Sequence, residues 1–472
     1  MRYGRREVLA GSGAATLIGL AGRALAQAEV QTPAETLFRN VRVFDGVLPR
    51  LSAPTDVLVR GNQIAGVGQG GTSAAQVIDG AGRTLMPGLI DAHCHLEFFN
   101  LPVQEFANDI PDFLQVRQVP GVRQFLMDGF TSARDAGGPT FGLKKAIDQG
   151  FVEGPRIWPS GALISQTSGH GESRPINDLP SPLARPLTPH EKAGYVMVAD
   201  GVAQVLERVR EQLFQGASQV KISIGGGVSS NFDPLDVTEY SEEEMRAAVG
   251  CAQDWGTYVM AHGYTPRAIN RALDCGVISI EHGHLLDEPT LRRIKDMGVW
   301  LSTQPFLQDE DAIPAAPGSA NRAKYEEVAA GTARIYEIAH RLGVKVAFGT
   351  DIQLNPKAPV RQAYYLPKLV RWYPPGAGAQ DGDGRQCGSV GDVGPAITVQ
   401  GRARPREIAR LGGPAAGQRR SHLEHQPAVR SRRQPGRHHE GRGHLQASAG
   451  HGLNSPRRIG AVVPADLPSG WP

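Results

Sequence analysis

No stretch of eighteen or more apolar residues occurs in the 472-residue chain, so no transmembrane helix is expected. Cysteine is scarce. Cys94, Cys251, Cys275 and Cys387 show no CxxC spacing, which argues against both a disulfide framework and a structural zinc site. Charge of one sign is also lacking. A net charge of +3 is too small to point to nucleic acid or an anionic membrane as partner. The last absence is local: from Gly376 to Pro472 there is no Lys, Tyr, Phe or Met, and no apolar periodicity survives.

Hydrophobic residues make up 40% of the chain, enough for a sizeable core, and its length suits a barrel plus a smaller domain. The N-terminus reads as a targeting segment over residues 1–26. Arg5 and Arg6 precede a mild Ala/Gly/Leu stretch, and Ala24-Leu25-Ala26 offers a small-x-small cleavage site. The paired arginines resemble a twin-arginine signal, which implies a periplasmic or secreted protein, with no membrane contact after cleavage.

Residues 36–80 alternate in short β-like runs separated by Asp45-Gly46 and Gly61-Asn62 turns, as expected of a small β-sandwich domain built largely from N-terminal residues. Over 84–375, strand-like runs alternate with helical stretches, which predicts an α/β fold with a parallel sheet. Eight candidate strands lie near Leu85–Ala92, Thr131–Arg134, Arg156–Leu163, Gln219–Ile224, Tyr258–Ala261, Val277–Ile280, Val299–Ser302 and Val344–Phe348. Eight such strands predict a closed (β/α)8 TIM-like barrel with its site at the strand C-termini. The loop from Ser165 to about Lys192, rich in Gly, Pro, Ser and His, reads as a lid or binding loop.

Residues 376–472 read as a low-order tail from a shifted frame. Gly376 to Asp383 can be encoded so that the next frame gives Ala-Gln-Ala-Leu-Lys-Met-Ala-Thr, a helix start. His438 to Arg442 can likewise yield Ile-Met-Lys-Asp-Gly, a strand and turn. A final barrel helix and a returning strand belong at those places. An inactive product of a broken gene is therefore one reading of the chain, and the nucleotide sequence around Pro375 decides it.

The strongest chemical signal is Met86-Pro87-Gly88-Leu89-Ile90-Asp91-Ala92-His93-Cys94-His95. On a strand, residues i and i+2 share a face, so His93 and His95 can point together into a barrel mouth while Cys94 faces away into packing. Two neutral imidazoles are a natural half-site for zinc or a similar ion, although the pair alone also fits unrelated surface histidines. Lys221 lies inside a strand that should be buried, which is costly unless its charge is changed or paired. His262, His282 and Asp351 each close an apolar run. Each alone fits a satisfied buried group. With the His93/His95 pair and Lys221 they come from five strands of one barrel.

This order resembles the binuclear, carboxylated-lysine branch of the amidohydrolase superfamily, from about Thr36 to Pro375. The resemblance implies two divalent ions, with Zn2+ expected. His93, His95 and Asp351 would hold one, His262 and His282 the other, and a carbamate on Lys221 would bridge them. It implies hydrolysis of a C–N bond by a metal-bridging hydroxide, with Asp351 as catalytic proton acceptor. The segments Ser165–Glu172, Ala261–Thr265 and Ile280–Gly283 are similar to Xaa-Pro and Xaa-Arg/Lys dipeptidases and ochratoxin-type amide hydrolases. That implies a dipeptide or N-acyl amino acid substrate, with His170 and Tyr264 as substrate contacts. His284 reads as a support for the ligands. The same site could instead serve a cyclic amide, lactone or phosphotriester. Assembly into a homo-oligomer is left open.

Overall fold

The structure is a computed structural model. It describes residues 35–46, 50–68, 76–182 and 185–373, together with the backbone of Ala396–Val399. The 1–26 leader lies outside the described residues, as do Cys387 and, apart from that short strand, the 376–472 tail. No described helix is long and apolar enough to cross a membrane.

The first strands are β1 (Glu35–Val43), β2 (Thr55–Arg60), β3 (Gln63–Val67), β4 (Gln76–Asp79) and β5 (Thr84–Pro87). With Ala396–Val399 they form one connected set of six strands. β1 has two halves. Thr36–Arg39 take β4 along one edge, whereas Arg42–Val43 take β5. The register breaks between Phe38 and Val41, where Asn40 sits at φ 54°. The inward-facing Phe38, Val41, Val57, Val59 and Leu85 make a small core of their own.

Here the strand expected at Leu85–Ala92 divides. Thr84–Pro87 joins the small sheet, and β6 (Leu89–Cys94) starts the larger one. The reason is Gly88. A Cβ there would fall 1.9 Å from Thr131 Oγ1, so only glycine lets the chain pass from one sheet to the other. The small sheet therefore extends to Pro87, beyond the expected boundary at residue 80.

Next come β7 (Phe130–Asp135), β8 (Arg156–Pro159), β9 (Leu163–Ser165), β10 (Val196–Val198), β11 (Val220–Ser223), β12 (Val259–Gly263), β13 (Ser279–His282), β14 (Trp300–Thr303) and β15 (Val346–Phe348). Two parallel sheets result, β6-β7-β8 and β10-β9-β11-β12-β13-β14-β15. Strands β11 to β14 are buried at every residue, as parallel strands covered on both faces must be.

The intervening helices bury one stripe each. Val205, Val209, Gln212 and Leu213 face inward from Val202–Gln215, as do Ala268, Ile269, Ala272 and Leu273 from Pro266–Asp274. Ser241 and Glu244 form a capping box at the start of Glu242–Asp254. β8 runs through Ser160 to Ala162 into β9, joining the two sheets along the chain. At the far ends, the Asp351 N–H after β15 donates to His93 O of β6 at 2.8 Å.

The Ser165–Lys192 segment has more structure than expected. It contains a short turn of helix at Ile176–Asp178 and enters the helix Pro189–Ala193. Ion pairs Arg174–Glu172 and Arg185–Glu191 brace it.

Candidate metal centre

Alternation along β6 puts Asp91, His93 and, one step past the strand, His95 on one face. His93 Nε2 lies 3.5 Å and His95 Nε2 3.2 Å from Asp351 Oδ1. The other ring nitrogens are held from behind, with His93 Nδ1 2.8 Å from Glu281 Oε2 and His95 Nδ1 3.2 Å from Gly137 O. Lys221 Nζ stands 3.4 Å from His93 Nε2. Among the described residues, His93, His95 and Asp351 form the one His/Cys/Asp/Glu group with potential ligand atoms all within 4.8 Å of one another.

The second histidine pair stands alongside. The His282 ring lies 4.7 Å from that of His93 and 4.5 Å from that of His262. His262 meets Gly226 O through Nε2 at 3.1 Å, which leaves Nδ1 for a ligand role. His282 meets Gln304 Oε1 through Nδ1 at 2.7 Å, which leaves Nε2. A carbonyl-type oxygen accepts only from a protonated nitrogen, so each contact fixes the tautomer that frees the other nitrogen.

The electrostatics match the protonation states that metal ligands need. Burial, reinforced by Lys221, holds His93 well below its ordinary value. Burial and neighbouring imidazoles do the same to His262 and His282. All three rings are neutral at pH 7. Burial works against the Asp351 charge, but His93, His95 and Lys221 outweigh it and keep the carboxyl below its usual range. Burial draws Lys221 down to about 8, against the pull of Glu281 and Asp351.

All eight residues singled out in the sequence meet here. His170 stacks on His262 at 4.1 Å and 11°. The Tyr264 ring lies 5.2 Å from both His262 and His282. Cys94 turns away, with Sγ toward Arg134 O. His284 supports from outside: its Nε2 bonds Gln304 O at 2.8 Å, and Gln304 in turn holds His282.

Several residues of the site were not singled out. Arg134 of β7 is buried, donates to both carboxylate oxygens of Glu281 at 2.9 Å and reaches Ser279 Oγ at 2.9 Å. Asp91 accepts from Thr350 Oγ1 at 2.6 Å and Gln362 Nε2 at 2.9 Å, which ties the loop carrying Asp351 to β6. Burial raises Asp91 to about 6. Asp135 accepts from the Leu96 N–H and anchors the turn after His95. The signal for Arg134 was present. A charged residue in a buried central strand is the same anomaly that marks Lys221.

Residues 84–378 match the Amidohydrolase family. The chain belongs to that family. It is 31% identical to the ochratoxinase of Aspergillus niger over 280 residues, 57% of this chain and 58% of that protein. The chain thus matches less than two thirds of that relative's length. The crystal structure of a prolidase complexed with N-methylphosphonate-L-proline is 36% identical, with a TM-score of 0.65 over 72% of this chain and 83% of that one. A Xaa-Pro dipeptidase with bound methionine in its active site is 25% identical, with a TM-score of 0.62 over 71% and 84%.

Four imidazoles with free nitrogens, an ionised carboxylate and a buried amine fit the divalent metals typical of amidohydrolases. The set is nitrogen-rich and lacks thiolate.

Proposed function

We propose that this amidohydrolase hydrolyses the amide bond of a dipeptide or N-acyl amino acid and releases the C-terminal amino acid. The observation that carries the reading is the convergence of His93 Nε2 and His95 Nε2 on Asp351 beside Lys221, with His262 and His282 next to them. The prolidase, Xaa-Pro dipeptidase and ochratoxinase relatives support the substrate class. In this reading the two parallel sheets close into one (β/α)8 barrel through the Asp351–His93 backbone link, with the site at the strand C-termini. The twin-arginine-type leader makes it an exported enzyme.

His93, His95 and Asp351 would hold one divalent ion and His262 and His282 a second, with Lys221 as a carbamate between them. Zinc suits these donors. When bound, the ions supply an activated water and polarise the carbonyl to be attacked. The chain's own residues do the rest. Glu281 and Gln304 orient the imidazoles, so the site is arranged before substrate arrives. Asp351, kept ionised between the two imidazoles, accepts the proton of the attacking water and returns it to the leaving nitrogen. Tyr264 and His170 flank the His262–His282 side, where the substrate would lie. Burial leaves Lys221 a share of free amine at neutral pH, the form that carboxylation requires.

The test is a substrate panel on purified, zinc-reconstituted protein. Release of free amino acid from Xaa-Pro, Xaa-Arg or N-acyl amino acids, abolished by chelation and restored by metal, is expected. Turnover confined to lactones or phosphotriesters would refute the reading.

A further inference from the structure

Between β11 and the helix Glu242–Asp254 the chain makes a tight turn over Gly226 to Asp233, packed against His170. Gly227 lies so close to the imidazole that a Cβ there would come within 2.0 Å of His170 Nδ1. His170 Nδ1 is 2.7 Å from Ser230 Oγ. Ser230 Oγ is in turn 2.6 Å from Asp233 Oδ2 and 3.2 Å from Gly227 O. Asp233 Oδ2 also accepts the Gly227 N–H at 2.6 Å. The turn is clamped from the helix Ala320–Leu342. Lys324 Nζ donates to Gly227 O, Ser230 O and Asp233 O at 3.0, 3.0 and 2.6 Å, and Asn321 Nδ2 donates to Val228 O at 2.8 Å.

The direction of these bonds is determined. Ser230 has one hydroxyl proton, and both Asp233 Oδ2 and Gly227 O can only accept it. Whichever takes it, Ser230 Oγ meets His170 as an acceptor, so His170 Nδ1 carries a hydrogen. The free ring position is then Nε2, which has no hydrogen-bond partner among the described residues. The ring is fixed in plane by stacking on His262. Its backbone is fixed as well, since the His170 N–H donates to Glu239 Oε1 at 2.9 Å.

We propose that Asp233, acting through Ser230 and with its own Oδ2 3.5 Å from His170 Nδ1, is a positioning residue that locks His170 as the Nδ1–H tautomer and presents its Nε2 to the substrate. This rests on the reading of His170 as a substrate contact. An Asp–Ser–His chain is used here to orient a ring, as a carboxylate orients a catalytic histidine elsewhere.

The experiment compares wild-type protein with Ser230→Ala, Ser230→Thr and Asp233→Asn, each at full metal content. Long-range 1H–15N spectra of 15N-histidine protein report the tautomer. His170 is expected as Nδ1–H in wild type and in Ser230→Thr, and as a mixture in Ser230→Ala and Asp233→Asn. Amino-acid release should fall about 10- to 100-fold in kcat/KM in the latter two, and Ser230→Thr should retain most of it. If the tautomer is unchanged in Ser230→Ala and Asp233→Asn, the positioning role is wrong. If it changes while kcat/KM stays within about twofold, the ring is not presented to substrate. A wild-type enzyme that releases no amino acid from any amide removes the proposed function instead, and the spectra still test the lock.

Discussion

Replacing Glu281 by Gln probes the most heavily charged part of the site's foundation. Glu281 is fully buried. It accepts from the Arg134 guanidinium through both oxygens, from Ser279 Oγ at 2.7 Å and from His93 Nδ1 at 2.8 Å. Burial works against the Arg134 charge, but the Glu281 charge, helped by Tyr258, more than compensates and holds the guanidinium above its ordinary value. Glutamine preserves shape and one acceptor oxygen, yet leaves the cation without its counter-charge. Breaking a buried pair from one side costs about 3–5 kcal/mol. For a domain this large, about 2 °C of melting temperature per kcal/mol gives a fall of roughly 6–10 °C.

The metal-free protein isolates this effect in a thermal melt. The double variant Arg134→Met/Glu281→Gln removes both charges, and should recover more than half of the loss, because the exposed penalty is the unpaired cation rather than the missing attraction. In a separate titration against a chromophoric chelator, Glu281→Gln should bind metal about 10- to 100-fold more weakly, since His93 loses the carboxylate behind it. A single variant that melts within about 2 °C of wild type, or a double variant less stable than the single, would show that the pair does not carry the foundation assigned to it.

Asp351→Asn should keep the fold, since the amide fits the same space, but lose about 100- to 10,000-fold in kcat as proton acceptor; near-normal turnover at full metal content contradicts that role. Lys221→Ala should lose the second metal and most activity, with partial return on adding formate or acetate as a substitute bridging anion, read by metal analysis and rate together. Glu239 gives a pH signature: burial raises its carboxyl from 4.5 to about 8, so the native state holds a proton that the unfolded state has released. Its contribution to stability is full below pH 4.5 and is lost as pH rises through about 8, a change of several kcal/mol at about 1.4 kcal/mol per unit. Glu239→Gln should flatten the fall in denaturation midpoint over that window, and an unchanged slope would refute the shift.

The six candidate ligands legible in the sequence share one property: each closes or interrupts an apolar strand, where period-two spacing says which way it points, whereas His170 and Tyr264 stand out only through the family resemblance of their segments. His93 and His95 are the clearest case. What the sequence left hidden acts from behind. Glu281 lies within the quoted run Ile280-Glu281-His282 and Arg134 within Thr131–Arg134, but a strand pattern does not reveal that their side chains meet from two different sheets. Their pairing joins strands of the two different parallel sheets, 147 positions apart in sequence. Asp91 is hidden for the same reason, because its partners Thr350 and Gln362 are 259 and 271 positions away in sequence. The division of the first strand at Gly88 was also not readable. Met86-Pro87-Gly88-Leu89 is one apolar run, and only the approach of Thr131 makes glycine the point of division.

Backbone strain at the strand ends bears on why the site holds its shape without help from the sequence pattern. His282 at φ 74° and Asp351 at φ 52° occupy the left-handed region, which non-glycine residues enter at about 1–3 kcal/mol each. In ordinary strand geometry each side chain would leave the strand in the next alternating direction. The left-handed turn re-aims it instead. The surroundings enforce both turns: Gly283 N–H donates to Gly263 O at 2.9 Å and Leu285 N–H to Tyr264 O at 3.2 Å, while Asp351 N–H donates to His93 O at 2.8 Å. Each of these bonds joins a predicted ligand's strand end to that of another predicted residue or its immediate neighbour. The site is therefore braced across strands at the level of the backbone, and the side-chain network of Glu281, Gln304 and Asp91 completes what those bonds begin. Preorganisation of this kind explains how four imidazoles and a carboxylate can stand within reach of one another before any cation draws them together.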